Sequence, residues 1–356
     1  MPDPYHLIRP LLFKLDPERA HELTLKTMQS GLMPFPGPAV RNQALEVTLW
    51  GLKFPNPVGL AAGFDKNAEV IGPAFKLGFG FVEVGGVTPE PQAGLPRPRI
   101  FRCPEHEAII NRMNFPNCGV RKFKDNLRSY LDKKPRPQGV VGIQIAKGAD
   151  QDDAEKDFRV LIQHVGPLAD YIVINISCPN TPGLTDLQKR GPLLKLLSAV
   201  KEERARACGS HPPPLVVKIA PDMDMAGQEY MAETLIQAAP DGVIMSNTRT
   251  ERFDYLPSEF ASRPGGLSGK PIKNLSTEMI GNFYKLTKGK IPIIGVGGIS
   301  SGRDAYEKIK AGASLVQLYT GLVYKGPGLI NAINRDLLKF MKSDGLTHIS
   351  QAVGRG

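Results

Sequence analysis

The chain has 356 residues, 41% hydrophobic and 22% charged, an ordinary globular composition long enough to bury a large core without disulfides. Its formal net charge is +10, but the basic residues are scattered rather than interleaved with aromatics. With a single Trp50 there is no base-stacking platform, so no nucleic-acid partner is expected; an anionic membrane or anionic small ligands remain. The four cysteines form no C-x-x-C pair and the six histidines show no ligand spacing. Free thiols in a reduced compartment and no metal site are expected, Cys103 and His106 lacking a second pair of ligands.

Leu7, Ile8, Leu11, Leu12 and Leu15 recur at helical spacing. Asp16 and Pro17 then read as a cap and a first-turn proline, opening a second helix with Ala20, Leu23, Thr24, Thr27 and Met28 on one side. Pro34, Pro36, Gly37 and Pro38 break the chain, so residues 1–42 are expected to form a two-helix unit. Two readings of it stay open. It is a helical pair packed on the main body, or an interfacial anchor carrying Arg9, Lys14, Arg19 and Lys26 toward lipid headgroups. No run of 18 or more apolar residues is present, so no spanning helix is expected. The N-terminus lacks a secretory or transit pattern, which points to an intracellular protein.

Eight short runs rich in Val and Ile follow, starting at Val58, Phe81, Val140, Tyr171, Leu215, Gly242, Ile291 and Ser314. Each is nearly continuously apolar, as strands buried on both faces are. Helical patterns such as Lys195 to Arg206 and Gly227 to Ala239 separate most of them. Strands alternating with helices predict an α/β protein, a (β/α)8 barrel over residues 43–345, with an open doubly wound sheet as the alternative. The stretch from Val87 to Gln138 is too long for one crossover and predicts an excursion over the barrel mouth. Residues 346–356 are expected to be a flexible tail.

Active sites of such barrels lie at the C-terminal strand ends. Those ends carry Gly63, Asp65, Lys66 and Asn67, then Gln144 and Lys147. Asn175, Ser177, Cys178 and Asn180 follow, then Lys218, then Ser246, Asn247 and Thr248. One amide in a loop says little; amides and lysines at five ends point to a polar ligand. After the seventh run, Gly295, Gly297 and Gly298 precede a helical segment from Asp304, and the eighth run ends in Tyr319, Thr320 and Gly321. A glycine-rich turn and a helix N-terminus suit a phosphate. No Ser-His-Asp set or carboxylate pair competes, and the combination suits a flavin mononucleotide (FMN) redox site.

AAGFDKNAE (61–69), VTPEPQ (87–92), RPRIFR (97–102), INRMNF (110–115), INISCPNTPGL (174–184), VKIAPD (217–222), GGLSGKP (265–271), PIIGVGGI (292–299) and GASLVQLYTG (312–321) resemble dihydroorotate dehydrogenases, in order and spacing from about residue 45 onward. DPERAHELTL (16–25) is similar to the N-terminal extension of the quinone-dependent, membrane-associated class. The resemblance implies oxidation of dihydroorotate to orotate in pyrimidine synthesis. FMN would take a hydride from C6 while a base removes a proton from C5, with electrons then passed to a membrane quinone. It also implies a peripheral protein on the cytoplasmic face of the cell membrane, here expected as a monomer.

By matching positions, Lys66 would meet the substrate carboxylate, and Asn111, Arg112, Met113, Asn114 and Phe115 would cover the substrate. Asn175, Asn180, Asn247 and Thr248 would contact its ring. Ala62, Gly63, Gly86, Gln144, Asn175, Ser246 and Gly269 would line the flavin, Lys218 would stabilise its reduced anion, and Gly298, Tyr319 and Thr320 would hold its phosphate. His21 and Arg102 would stand at the quinone access. Cys178 would be the base, where the quinone-dependent class carries Ser and the class reducing fumarate or NAD carries Cys. A thiol can serve because its ordinary pKa is far below that of a hydroxyl. Gly86, Asn114, Pro116 and Gln144 also depart from the usual Thr, Gly, Asn and Asn, which puts their contacts in question. The alternatives are a soluble electron acceptor, a non-catalytic FMN- or orotate-binding barrel, and another flavin barrel such as a dihydrouridine synthase.

Overall fold

The computed structural model describes residues 5–33, 37–149, 151, 153–178, 180, 181 and 183–356. Pro34 and Pro36 of the expected breaker, and Pro179 and Pro182 of the fourth strand-end motif, lie outside these.

All eight apolar runs form strands: β1 Val58–Leu60, β2 Phe81–Val87, β3 Val140–Ile145, β4 Tyr171–Asn175, β5 Leu215–Lys218, β6 Gly242–Met245, β7 Ile293–Val296 and β8 Ala313–Leu318. They pair in parallel and in chain order, and β8 closes on β1. Every residue of β2 and β3 is buried, which explains the absence of alternation in the sequence. Helices Ile71–Lys76, Gly119–Leu131, Ala154–Val165, Arg190–Cys208, Met225–Ala238, Lys273–Leu286, Gly302–Ala311 and Leu329–Ser343 follow the strands in turn. The fold is therefore a closed (β/α)8 barrel. Side-chain caps start three of these helices: Asp153 accepts from the Lys156 amide, Asp224 from Gly227 and Ser301 from Asp304.

The excursion after β2 is present. Ile100–Cys103 pairs with Ala108–Asn111, which pairs in turn with Gly266–Gly269 from the connection after β6. The chain end departs from expectation. His348 caps a 3-10 turn over Ile349–Ala352, and Ile349 and Ala352 are buried. The Gly354 and Gly356 amides donate to the Ile309 and Lys310 carbonyls. Two apolar side chains and two backbone bonds thus hold residues 346–356 on the barrel, and they are not a flexible tail.

Two helices precede the barrel, α1 Tyr5–Leu12 and α2 Pro17–Gln29. Asp16 caps α2 by accepting from the Glu18 and Arg19 amides, with Pro17 in its first turn. Ala20 and Met28 are buried, whereas Leu23 of the expected inner face is 47% exposed. Glu18 anchors α2. Its carboxylate receives Arg99 Nη2 at 2.7 Å and Nε at 3.0 Å, both side chains being buried. Arg99 also donates to the Ala93 and Leu95 carbonyls. Glu18→Ala leaves that guanidinium buried without its counter-charge. It is expected to cost about 3–5 kcal/mol, checked by denaturant unfolding against wild type.

Candidate active site

One continuous cavity opens at the C-terminal ends of the barrel strands and runs out between the barrel and α1–α2. At its inner end stand Lys218, Asn175, Gln144, Cys178 and Asn247. At its outer end stand His21, Thr24, Met28, Leu12, Phe13 and Arg102. Apart from Arg112, every residue that the resemblance assigns to the site lines it. Arg112 follows the last residue of Ala108–Asn111 and turns away, its Nη2 donating to the Pro98 carbonyl at 3.4 Å. Lys147 also turns away and donates to the Gly148 carbonyl. Asp65 and Asn67 serve the backbone: Asp65 accepts from the Glu69 and Val70 amides, and Asn67 from the Cys118 amide.

The inner wall is an ordered set of amides. Asn175 Nδ2 donates to Gln144 Oε1 at 2.9 Å, and Asn247 Nδ2 donates to Ser177 Oγ at 3.0 Å. Gln144, the longer side chain at a position in question, thus spans the gap to Asn175. Asn114 holds the left-handed conformation (φ 56°), which Asn tolerates better than most residues. Its Oδ1 accepts from the Thr181 hydroxyl at 2.6 Å. A Cβ at Gly86 would stand 3.0 Å from the Phe115 ring, so the small residue there gives that ring its place.

Burial shapes the charges. Lys218 is fully enclosed, which lowers its pKa, while Glu83 and Cys178 act to raise it. Burial raises the Cys178 thiol, against the Asn180 amide, the Thr181 hydroxyl and Lys218, which favour thiolate. Lys66 donates to the Gly63 carbonyl and falls to about 8, chiefly through burial. Burial and the charge of Lys66 bring His21 down to about 3, so its imidazole is neutral at physiological pH. The ring stands edge-on to Phe64 at 5.1 Å.

The opposite wall is built from glycines and the ends of β7 and β8. Gly297 and Gly298 have φ of 119° and 71°, and a Cβ at Gly298 would lie 2.6 Å from the Lys273 Cα; only glycine fits. No residue of Gly302–Ala311, the helix expected to present its N-terminus to a phosphate, lines the cavity. The N-terminus of Gly302–Ala311 is closed by its own Ser301 and by Asp304, which accepts from Ser300. Thr320 instead brings the start of Thr320–Lys325 to the cavity, its hydroxyl 2.8 Å from Ser268 Oγ. Ser268 and Gln317 line the cavity and were not singled out above. Gln317, a polar residue in the apolar run of β8, was the available signal.

The family model for dihydroorotate dehydrogenase matches residues 44–341. The chain belongs to that family. It is 46% identical over 354 residues to a dihydroorotate dehydrogenase (quinone) of Rhodospirillum rubrum, covering 99% of this chain and 95% of the relative. It is also 46% identical over 343 residues to a mitochondrial dihydroorotate dehydrogenase (quinone) of Mus musculus, covering 96% and 87%. Among solved structures, the Eimeria tenella enzyme in complex with ferulenol superposes with a TM-score of 0.90 at 39% identity, over 96% of this chain and 95% of that one. Its ligand-free form gives 0.89 at 40% identity, over 96% and 99%.

Members of this family use a flavin, and the residues present fit one. Gln317 Oε1 is a buried acceptor without a partner among the described residues, and Gln317 lines the same cavity as Lys218. The flavin's ring bears both donors and acceptors, and the glycine-built wall leaves backbone amides for a phosphate.

If Lys66 meets an anionic ligand, its charge decides affinity. Its pKa of about 8 predicts that orotate binding weakens as pH rises past about 8, where the ammonium is lost. Lys66→Met should flatten that dependence. Titrating the flavin absorbance change with orotate across pH checks both.

Proposed function

We infer that this chain oxidises dihydroorotate to orotate in pyrimidine synthesis and passes the electrons to a quinone. The observation that carries the reading is the single cavity joining the amide- and lysine-lined barrel mouth to the apolar space beneath α1 and α2. A substrate and a second, apolar reactant can therefore reach one buried ring from different sides.

FMN, when bound, supplies the hydride acceptor for one half-reaction and the electron donor for the other. The protein's side chains do the rest. Ala62, Gly63, Gly86, Gln144, Ser246 and Gly269 would hold the flavin ring, and Gly298, Tyr319 and Thr320 would hold its phosphate. Lys218 places a positive charge where electron density accumulates. Lys66 orients the substrate carboxylate, and Asn111, Asn175, Asn180, Asn247 and Thr248 hydrogen-bond the pyrimidine. Met113, Asn114 and Phe115 close over it and exclude water. Cys178 Sγ takes the C5 proton. His21, neutral, and Arg102 flank the quinone end. Arg102 has a second task, since it donates to the Leu12 and Phe13 carbonyls and lies 4.5 Å over the Phe13 ring, holding the α1–α2 turn.

Among the described residues no helix is long and apolar enough to cross a membrane. Leu7, Leu11, Leu15 and Leu23 are exposed on α1, α2 and the turn between them, which supports peripheral attachment through this face, on the cytoplasmic side of the cell membrane. Cys178 favours a second reading, in which fumarate or NAD accepts the electrons. Anaerobic addition of dihydroorotate should bleach the yellow protein, and a quinone analogue should restore the colour faster than fumarate or NAD. Faster recovery with either soluble acceptor would establish the second reading.

A further inference from the structure

Glu83 lies in the middle of β2, wholly buried inside the barrel and below the cavity. A charged side chain in a strand buried on both faces needs a reason. Three donors from three other strands converge on it. Gln144 Nε2 on β3 reaches Oε1 at 3.0 Å, Tyr171 OH on β4 reaches Oε2 at 3.2 Å, and Gln317 Nε2 on β8 reaches Oε2 at 2.7 Å. Lys218 on β5 adds a compensating positive charge; burial raises the Glu83 pKa above the ordinary carboxyl value, and Lys218 and the three donors oppose that rise by favouring the carboxylate.

The hydrogen bonds above Glu83 all run one way. The Thr248 amide donates to Asn247 Oδ1 at 2.9 Å, and Asn247 Nδ2 to Ser177 Oγ at 3.0 Å. Ser177 Oγ lies 3.2 Å from Asn175 Oδ1, and Asn175 Nδ2 donates to Gln144 Oε1 at 2.9 Å. Gln144 Nε2 then donates to Glu83. The two ends of an amide have nearly the same shape, so packing alone does not decide which end of Gln144 faces Asn175. A carboxylate accepts only, and that decides it. With Gln144 Nε2 committed to Glu83, its oxygen must face Asn175, and this agrees with the asparagines' own backbone contacts, since the Ser177 amide donates to Asn175 Oδ1 at 3.1 Å and the Thr248 amide to Asn247 Oδ1. Each amide nitrogen keeps a second N–H beyond this chain of bonds.

We propose that Glu83 is a positioning residue: its acceptor-only carboxylate turns the Gln144 oxygen toward Asn175, so that Gln144 supports the direction of the Asn175–Ser177–Asn247 bonds that the Ser177 and Thr248 amides also require, and holds the two asparagines as they meet the ring and the substrate. The proposal rests on the functional reading above, with Asn175 and Asn247 as ligand contacts.

The test uses full-length, FMN-loaded protein. Glu83→Gln keeps the shape but supplies an N–H2 where only an acceptor stood. FMN content should be unchanged. The orotate dissociation constant should rise about tenfold and the rate of flavin reduction by dihydroorotate should fall about ten- to hundredfold, the scale of a misdirected buried hydrogen bond. The double variant E83Q/Q144E moves the carboxylate one strand along and again offers Asn175 nothing but an acceptor. It should recover most of both losses, which restored packing alone would not do. Wild-type affinity and rate in E83Q, or a double variant no better than the single, overturns the proposal. If E83Q does not fold or hold FMN, the double variant decides alone: a folded, reducible protein supports the proposal, and a second failure overturns it. Wild type is measured in the same series. A wild-type protein that dihydroorotate does not bleach sinks the functional reading, whereas a bleached wild type with an equal E83Q sinks only the role of Glu83.

Discussion

Cys178→Ala is expected to yield a yellow protein with a full complement of FMN that dihydroorotate reduces at least a hundredfold more slowly, the usual scale for losing a positioned general base. Cys178 lines the cavity at 8% exposure just beyond the end of β4. Truncating it removes a sulfur and disturbs little else. The other half-reaction should survive: variant protein reduced with dithionite should return electrons to a quinone analogue at the wild-type rate. The pH profile of the wild type separates a basic thiolate from a bystander. Burial raises the Cys178 pKa above the ordinary thiol value, outweighing Asn180, Thr181 and Lys218. Only the thiolate accepts a proton, and below the pKa its fraction grows about tenfold per pH unit. Flavin reduction should therefore climb through neutral pH and still be climbing at the ordinary thiol pKa. Anaerobic stopped-flow absorbance reads both experiments, and unchanged bleaching in Cys178→Ala would remove this residue as the base.

The barrel was legible because its strands are buried on both faces, so a continuous apolar run was the signal and all eight runs became strands. Strand ends were legible for a related reason: a polar residue closing an apolar run has few places to go except the mouth. The same rule misleads at Lys147, two residues past the end of β3, which turns from the cavity to the Gly148 carbonyl. Polar residues inside strands were the blind spot. Glu83 and Gln317 break two apolar runs, and their meaning appears only when β2 and β8 bring them within 2.7 Å. The glycine-built wall was half visible. The glycines of GVGGIS predicted the turn, but two helices begin nearby. Local sequence does not rank them, and in the structure Thr320 reaches the cavity whereas Gly302–Ala311 does not. The tail was misread because Ile349 and Ala352 are too few to make a periodic pattern, yet enough to dock a short segment.

Serine at Leu7 and Leu11 together is expected to release the protein from lipid while leaving its chemistry intact. These side chains are 70% and 64% exposed, whereas their neighbour Leu12 turns inward to the cavity wall. Burying a leucine is worth about 1.5–3 kcal/mol, so losing two should lower vesicle partition by at least about a hundredfold if both enter the bilayer. Turnover with a long-chain quinone carried in vesicles should fall with the bound fraction, while turnover with a short, water-soluble quinone stays at the wild-type rate. Flavin reduction by dihydroorotate should not change. Removing the whole N-terminal segment is a poorer test of the same idea. It takes Glu18 from Arg99 and strips Leu12, Phe13, His21 and Thr24 from the cavity wall, so lost stability and lost quinone access would arrive together. The two leucines separate them, since neither contributes to the Arg99 pair nor lines the cavity. If vesicle sedimentation finds the double variant bound as tightly as wild type, the exposed face of α1 is not the lipid contact, and the pair of helices serves only as the outer wall of the site.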